Sequence, residues 1–124
     1  MRNRYILFQG IARLVSLIVL TCALASACST QREREAALRR DLVTMRQAID
    51  NYTLGKKRVP QSLQDLVNEH YLKEVPTDPF TRKKDWVVEF ADTELSADQT
   101  MTGIADVHST STQMGSSGIA YNDW

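Results

Sequence analysis

The chain has 124 residues, with 15 Lys and Arg against 15 Asp and Glu and a formal net charge of zero. That length holds one small domain rather than two, with a thin core, because domains of this size bury only about 60–70% of their unfolded surface. Arg2, Arg4 and Arg13 stand in the first 28 residues without an acidic neighbour; the remainder sets 12 basic residues against 15 acidic ones, a balance of −3, which excludes the concentrated basic face of a general nucleic-acid binder.

Residues 1–27 read as a signal or anchor segment ahead of a domain over 28–124. Met1 to Arg13 is a basic n-region, and Leu14 to Ala25 is an apolar h-region of signal-peptide length. Counting from Tyr5 reaches the roughly 20 residues of a membrane span, but Gln9 and Arg13 then fall inside it. Leu24-Ala25-Ser26-Ala27-Cys28 resembles a bacterial lipobox, which makes Cys28 the lipidation candidate. An uncleaved anchor and cleavage after Ala27 are the alternatives, and all three export the domain to the periplasmic side of the envelope. Cys22 reads as a small apolar residue of the h-region. With both cysteines in or beside the leader, the folded part has neither a disulfide framework nor a structural zinc site.

The first folded element is a helix over about 31–54. Thr30-Gln31-Arg32-Glu33 fits a capping box at its start, and Gly55 fits the left-handed stop at its end. Leu38, Leu42, Met45, Ile49 and Tyr52 step by 4, 3, 4 and 3 and form one apolar face. The stripe spans only two heptads, too short for a coiled coil. Arg32, Arg34, Arg39, Arg40 and Arg46 are assigned to the solvated side, with Glu35–Arg39 and Arg46–Asp50 as i, i+4 pairs.

Val59-Pro60 closes a loop, and Ser62 with Asp65 opens a short helix over about 63–69 carrying Leu63, Leu66 and Val67. His70 at its end reads as a surface residue. Tyr71 and Leu72 follow, and then Pro76 and Pro79 bracket Thr77-Asp78, where the Asp78 carboxylate can bond amides beyond it and hold the turn. Trp86, Val88 and Phe90 alternate and predict a strand over about 85–91 facing the core. Residues 91–102 read as a polar loop. Ile104 to His108 reads as a second strand with Ala105 and Val107 on one face, and Ser109 to Gly118 as an irregular loop. Tyr121 and Trp124 are expected to pack on the sheet. Asp106-Val107-His108-Ser109 holds the residue types of a triad, but on a strand Ser109 points away from Asp106 and His108. No phosphate loop, zinc-protease motif or nucleophile elbow occurs. The expectation is a protein that is not an enzyme, with no catalytic residue and no small-molecule substrate.

Residues 34–124 resemble the soluble domain of the type II secretion system major pseudopilin, general secretion pathway protein G. The resemblance rests on order and spacing: Ala48-Ile49-Asp50-Asn51-Tyr52, Gly55 to Pro60, Leu63-Gln64-Asp65-Leu66, Tyr71-Leu72, Val75-Pro76-Thr77-Asp78-Pro79-Phe80, Asp106-Val107-His108-Ser109 and Trp124. It implies an α+β, pilin-like fold, a long N-terminal helix packed on a small antiparallel sheet. It also implies a structural role in protein secretion by protein–protein assembly, with other secretion-apparatus or envelope proteins as partners and the membrane reached through the N-terminal anchor.

Two features depart from the family. Gly10 is followed by Ile11, the fifth position after it is Val15 rather than Glu, and Arg13 interrupts the apolar run. Between Ser109 and Asn122, where the family binds calcium, there is no Asp or Glu; a calcium ion takes about 6–8 oxygens with carboxylates supplying the charge, so no metal ligand and no cofactor is expected. The alternative function is a lipid-anchored envelope lipoprotein that uses the pseudopilin-like domain as a binding module outside any filament.

Overall fold

The computed structural model describes residues 30–96 and 99–124. The expected leader, Cys22 and the lipidation candidate Cys28 lie outside them. The chain divides into two units, Met1–Glu33 and Arg34–Trp124; of the first, only the helical residues 30–33 are described. Among the described residues no helix is long and apolar enough to cross a membrane.

The architecture is α+β. A long helix, α1 (30–56), is followed by a short helix, α2 (Leu63–Asn68), and a hairpin of β1 (Val87–Ser96) and β2 (Gln99–His108), which form a two-stranded antiparallel sheet. A single 3-10 turn at Tyr121–Asp123 closes the chain.

The stripe on α1 forms the core. Leu38, Leu42, Met45, Ile49 and Tyr52 are all buried and join Ala48, Leu66, Leu72, Ile104, Val107 and Tyr121 in one cluster. Each of the larger aliphatic side chains withdrawn from water contributes about 1.5–3 kcal/mol. Leu63, Tyr71, Trp86 and Trp124 pack against this cluster half-buried. Both ends of α1 differ from expectation. Thr30 is already helical and so is not the cap. The helix runs through Gly55 to Lys56, and Lys57 takes the left-handed conformation, with φ of 54°. Gly55 serves a different need: a Cβ there would run into the Tyr71 hydroxyl. Tyr71 itself packs edge-on against Tyr52, ring centroids 5.4 Å apart.

At the start of α2, the Ser62 hydroxyl accepts from the Asp65 amide and the Asp65 carboxylate accepts from the Ser62 amide, a complete capping box. The Gln61 amide donates to the same carboxylate at 2.9 Å. Together these hold Asp65 below the usual carboxylate range, the Gln61 bond being the largest cause. Pro60 is buried beside this cap, and its carbonyl accepts from the Ile104 amide at 2.9 Å.

The Pro76–Pro79 turn is built around Asp78, which is buried. Its Oδ1 accepts from the Phe80 amide at 2.7 Å and the Thr81 amide at 3.3 Å, and its Oδ2 accepts from the Ser109 hydroxyl. Ser109 passes the bond on by accepting from the Ser111 amide at 3.0 Å. Trp86 precedes β1 rather than lying in it, and its indole N–H donates to the Pro76 carbonyl at 2.8 Å.

The hairpin departs most from expectation. Residues 91–96 and 99–102 are strand, not loop. The ladder there is held by main-chain pairing and by polar cross-strand contacts such as the Thr102 hydroxyl on the Asp92 carboxylate. Phe90 does not pack in the core; it projects on the same face as its partner Ile104 but lies beyond the core and is 52% exposed. The pairing jumps from Glu89↔Asp106 to Phe90↔Ile104, so Ala105 is an extra residue, a β-bulge in β2. The bulge puts Ile104 and Val107 inward, three residues apart, and leaves Ala105 exposed. A Cβ on Gly103 would come within 2.7 Å of Val59 Cβ and 2.8 Å of the Pro60 carbonyl oxygen, so the strand approaches the 59–60 segment where only glycine fits.

Candidate functional site

The C-terminal segment, 109–124, is fastened to α1 by three side chains of the helix. All three reach partners far beyond the i, i+4 neighbour. Glu35 is only 5% exposed. Its carboxylate accepts from the Ser116 amide at 2.8 Å, the Ser116 hydroxyl and the Tyr121 hydroxyl at 2.9 Å. One turn on, the Arg39 guanidinium lies over the Trp124 ring, 4.4 Å from its centroid. Two turns further, Arg46 donates from Nε to Asp106 Oδ1 at 2.6 Å and from Nη2 to the main-chain oxygens of Val107 at 3.0 Å and Trp124 at 2.7 Å. Arg46 is therefore half-buried in the packed structure, whereas Arg32, Arg34, Arg39 and Arg40 are exposed as expected of a solvated face, Arg39 with its guanidinium resting on the Trp124 ring.

The loop these residues grip has its own frame. Met114 and Ala120 form an isolated antiparallel bridge, and the Tyr121 and Asn122 amides donate to the carbonyls of Gln113 and Ser111. Tyr121 stacks on Phe80 with centroids 3.9 Å apart and meets Trp124 edge-on at 5.0 Å. Tyr121 and Trp124 pack on the Phe80 turn and on α1, and the expected contact with the sheet is made as well, Tyr121 sharing the core with Ile104 and Val107 of β2 and the Trp124 main-chain oxygen facing His108. Gly115 sits where a Cβ would come within 2.8 Å of the Trp124 ring.

Beside this clasp runs a groove of about 460 Å³ lined by Arg39, Leu42, Val43, Arg46, Ile119 and Trp124. A second cleft, of about 300 Å³, lies between Tyr52, Val59, Asp65 and Met101, with Arg58 and Glu69 at its rim. Lys56 Nζ lies 2.5 Å from Glu69, and that hydrogen bond raises the lysine and lowers the glutamate from their ordinary values.

The chemistry-bearing residues at the base of the hairpin are Glu89, Asp106 and His108. Nε2 of His108 lies 3.5 Å from Glu89 and 3.7 Å from Asp106, while its Nδ1 faces the main-chain oxygen of Trp124 at 3.2 Å. One ligand atom from each of the three falls within 4.8 Å of the others, so among the described residues these could hold a cation. The Arg46 guanidinium opposes one, because it already neutralises Asp106. Burial pushes the Asp106 carboxyl up, but the Val107 amide, Arg46 and the field of His108 outweigh it and hold it below the usual carboxylate range. Ser109 is not brought to this group; its hydroxyl is buried against Asp78.

Tyr52, Pro60, Leu66 and Met45 sit where the helical and turn readings put them. Glu35 and Arg46 escaped the sequence reading because their partners lie 81 and 60 residues away. Compared with family models, with curated proteins and with solved structures, the chain finds no match.

Proposed function

We propose that the chain is a non-enzymatic structural component resembling a type II secretion pseudopilin, acting in protein secretion by protein–protein assembly on the periplasmic side of the envelope. The observation that carries this reading is α1. Its apolar stripe shares one core with the hairpin, α2 and the Asp78 turn, and its outer face leaves Arg32, Arg34, Arg40 and Val43 exposed to neighbours. Groups that could do chemistry are instead tied into structure: Asp78 holds a turn, Glu35 holds a loop, and Asp106 pairs with Arg46. The assembly works through surface contact and needs no cofactor or small-molecule substrate.

A photo-crosslinking amino acid at position 43, which is 51% exposed on α1, tests this in cells carrying the full chain. A ladder of cross-linked copies, or an adduct with another secretion component, is the expected result. Monomer alone would refute assembly.

The second reading, a lipid-anchored lipoprotein outside any filament, is favoured by Ala25-Ser26-Ala27-Cys28 and by Val15 where the family has Glu. Mass spectrometry of the mature N-terminus separates the two. An acylated Cys28 supports the lipoprotein, and a methylated Ile11 supports the filament subunit.

A further inference from the structure

The two long edges of the hairpin are not alike. The outer edge of β2 is covered: the Ile104 amide donates to Pro60, the Thr102 carbonyl accepts from Gln61 Nε2 at 2.9 Å, and the Val107 carbonyl accepts from Arg46. These bonds also fix the polarity of the ladder. Ile104, Thr102 and Val107 aim their main-chain groups away from β1, so their partners Phe90, Asp92 and Val88 form non-hydrogen-bonded pairs with them. It follows that Val88, Phe90, Asp92 and, by alternation, Glu94 point N–H and C=O away from β2, along the outer edge of β1. Among the described residues no backbone group pairs with that edge.

β1 carries few of the devices that blunt an edge strand: it has no Pro or Lys, its pairing is regular from Val87 to Glu94 apart from the bulge at Ala105, which belongs to β2, and its own extra residue, Leu95, comes only at the hairpin end. Val87 and Phe90 are 47% and 52% exposed along it. Glu89, Asp92 and Glu94 project from it, and from Asp85 to Trp124 the chain contains no Lys or Arg. A second copy of β1 is a poor occupant, since each copy brings three carboxylates and no cation, and pairing centred on Asp92 sets that residue against itself.

We propose that the outer edge of β1 is a docking site for an extended segment of another protein that adds as a further strand, with Lys or Arg side chains meeting Asp92 and Glu94 on the face they share with Phe90, and apolar side chains on the other face beside Val87 and Ala91. Main-chain bonds supply the attachment and the charge pattern supplies the choice of partner. This does not depend on whether the chain assembles into a filament.

The test uses the full chain and a synthetic peptide as long as the ten residues of β1, alternating Val and Lys, with a Val–Glu peptide as control. Amide hydrogen exchange is read by NMR. With the Val–Lys peptide, the amides of Phe90, Asp92 and Glu94 should slow by about tenfold or more, while those of Glu89 and Ala91 do not change. Phe90→Pro removes an outward N–H without breaking the ladder to β2; it should keep the circular dichroism of the parent and lose the protection at Asp92 and Glu94. If that variant does not fold, Asp92→Lys with Glu94→Lys serves instead and should also abolish the effect. Equal protection by the Val–Glu peptide would overturn the proposal. So would Val–Lys binding that leaves all β1 amides unprotected, which is plain charge attraction.

Discussion

Replacing Glu35 by Ala tests whether α1 holds the C-terminal segment. The carboxylate accepts three hydrogen bonds, two from Ser116 and one from Tyr121. Ser116 is exposed and can turn to water, whereas Tyr121 is buried, stacked on Phe80 and edge-on to Trp124. Leaving a buried donor unmet costs about 1–3 kcal/mol, and a hydrogen bond to a charged acceptor contributes about 1.5–3 kcal/mol. Relief of the buried charge offsets part of this. A net loss of about 2–3 kcal/mol is expected, a fall in melting temperature of roughly 10–20 °C for a domain of this size. Thermal unfolding by far-ultraviolet circular dichroism measures the loss, and the near-ultraviolet signal reports the Phe80–Tyr121–Trp124 stack. Tyr121→Phe should cost about 1.5–3 kcal/mol alone and much less in the Glu35→Ala background. If Glu35→Ala stays within about 0.5 kcal/mol of the parent with an unchanged near-ultraviolet spectrum, the carboxylate is solvated and the reasoning fails.

Three further outcomes follow from the packing and the charges. Burial pushes the Asp41 carboxyl above its ordinary value of 3.8, Arg40 pulls it part of the way back and Asp78 adds repulsion; its contribution is therefore present below that value and lost as pH rises through the raised one. Asp41→Asn should melt higher than the parent at pH 7, with the gain vanishing near pH 3, and an unchanged or lower melting point at pH 7 would contradict this. Asp65 is lowered, so its contribution is present above its ordinary 3.8 and is lost as pH falls through the lowered value. Asp65→Asn should accordingly melt lower at pH 7 and converge with the parent in acid, whereas a gap that persists in acid would point to packing instead. Gly103→Ala forces Val59 and Pro60 apart and should destabilise by about 1–3 kcal/mol, measured by urea unfolding; a neutral result would mean the strand has room to shift.

Where a local rule decided the structure, the sequence was readable. The stripe from Leu38 to Tyr52 is long enough for its period to be unambiguous, and Ser62 with Asp65 satisfies amides within one helical turn. Asp78 bonds amides two and three residues on, as an aspartate in such a turn does. The hairpin obeyed no such rule. Beyond Phe90 both faces of β1 and β2 are largely exposed, so no apolar alternation marks them as strands, and the bulge at Ala105 replaces period 2 with a step of three at the two buried positions. The clasp was hidden for another reason. Glu35 and Arg46 each have an opposite charge four residues away, and the sequence favours that nearby partner; the fold instead brings up Ser116, Tyr121, Asp106 and Trp124.

The bulge has a consequence for how β2 tolerates changes in length. From Ile104 to His108 the side chains run in, out, out, in, out, and Ala105 is the residue that breaks the alternation. Deleting Ala105 would leave Ile104, Asp106, Val107 and His108 in strict alternation, with both core residues still inward and both polar residues still outward. Removing one residue from most strands turns the inside out; here it would make the strand more regular. The cost would fall on Asp106, which the bulge re-aims toward Arg46, so a one-codon loss at this point would spare the core and loosen the hold of α1 on the hairpin.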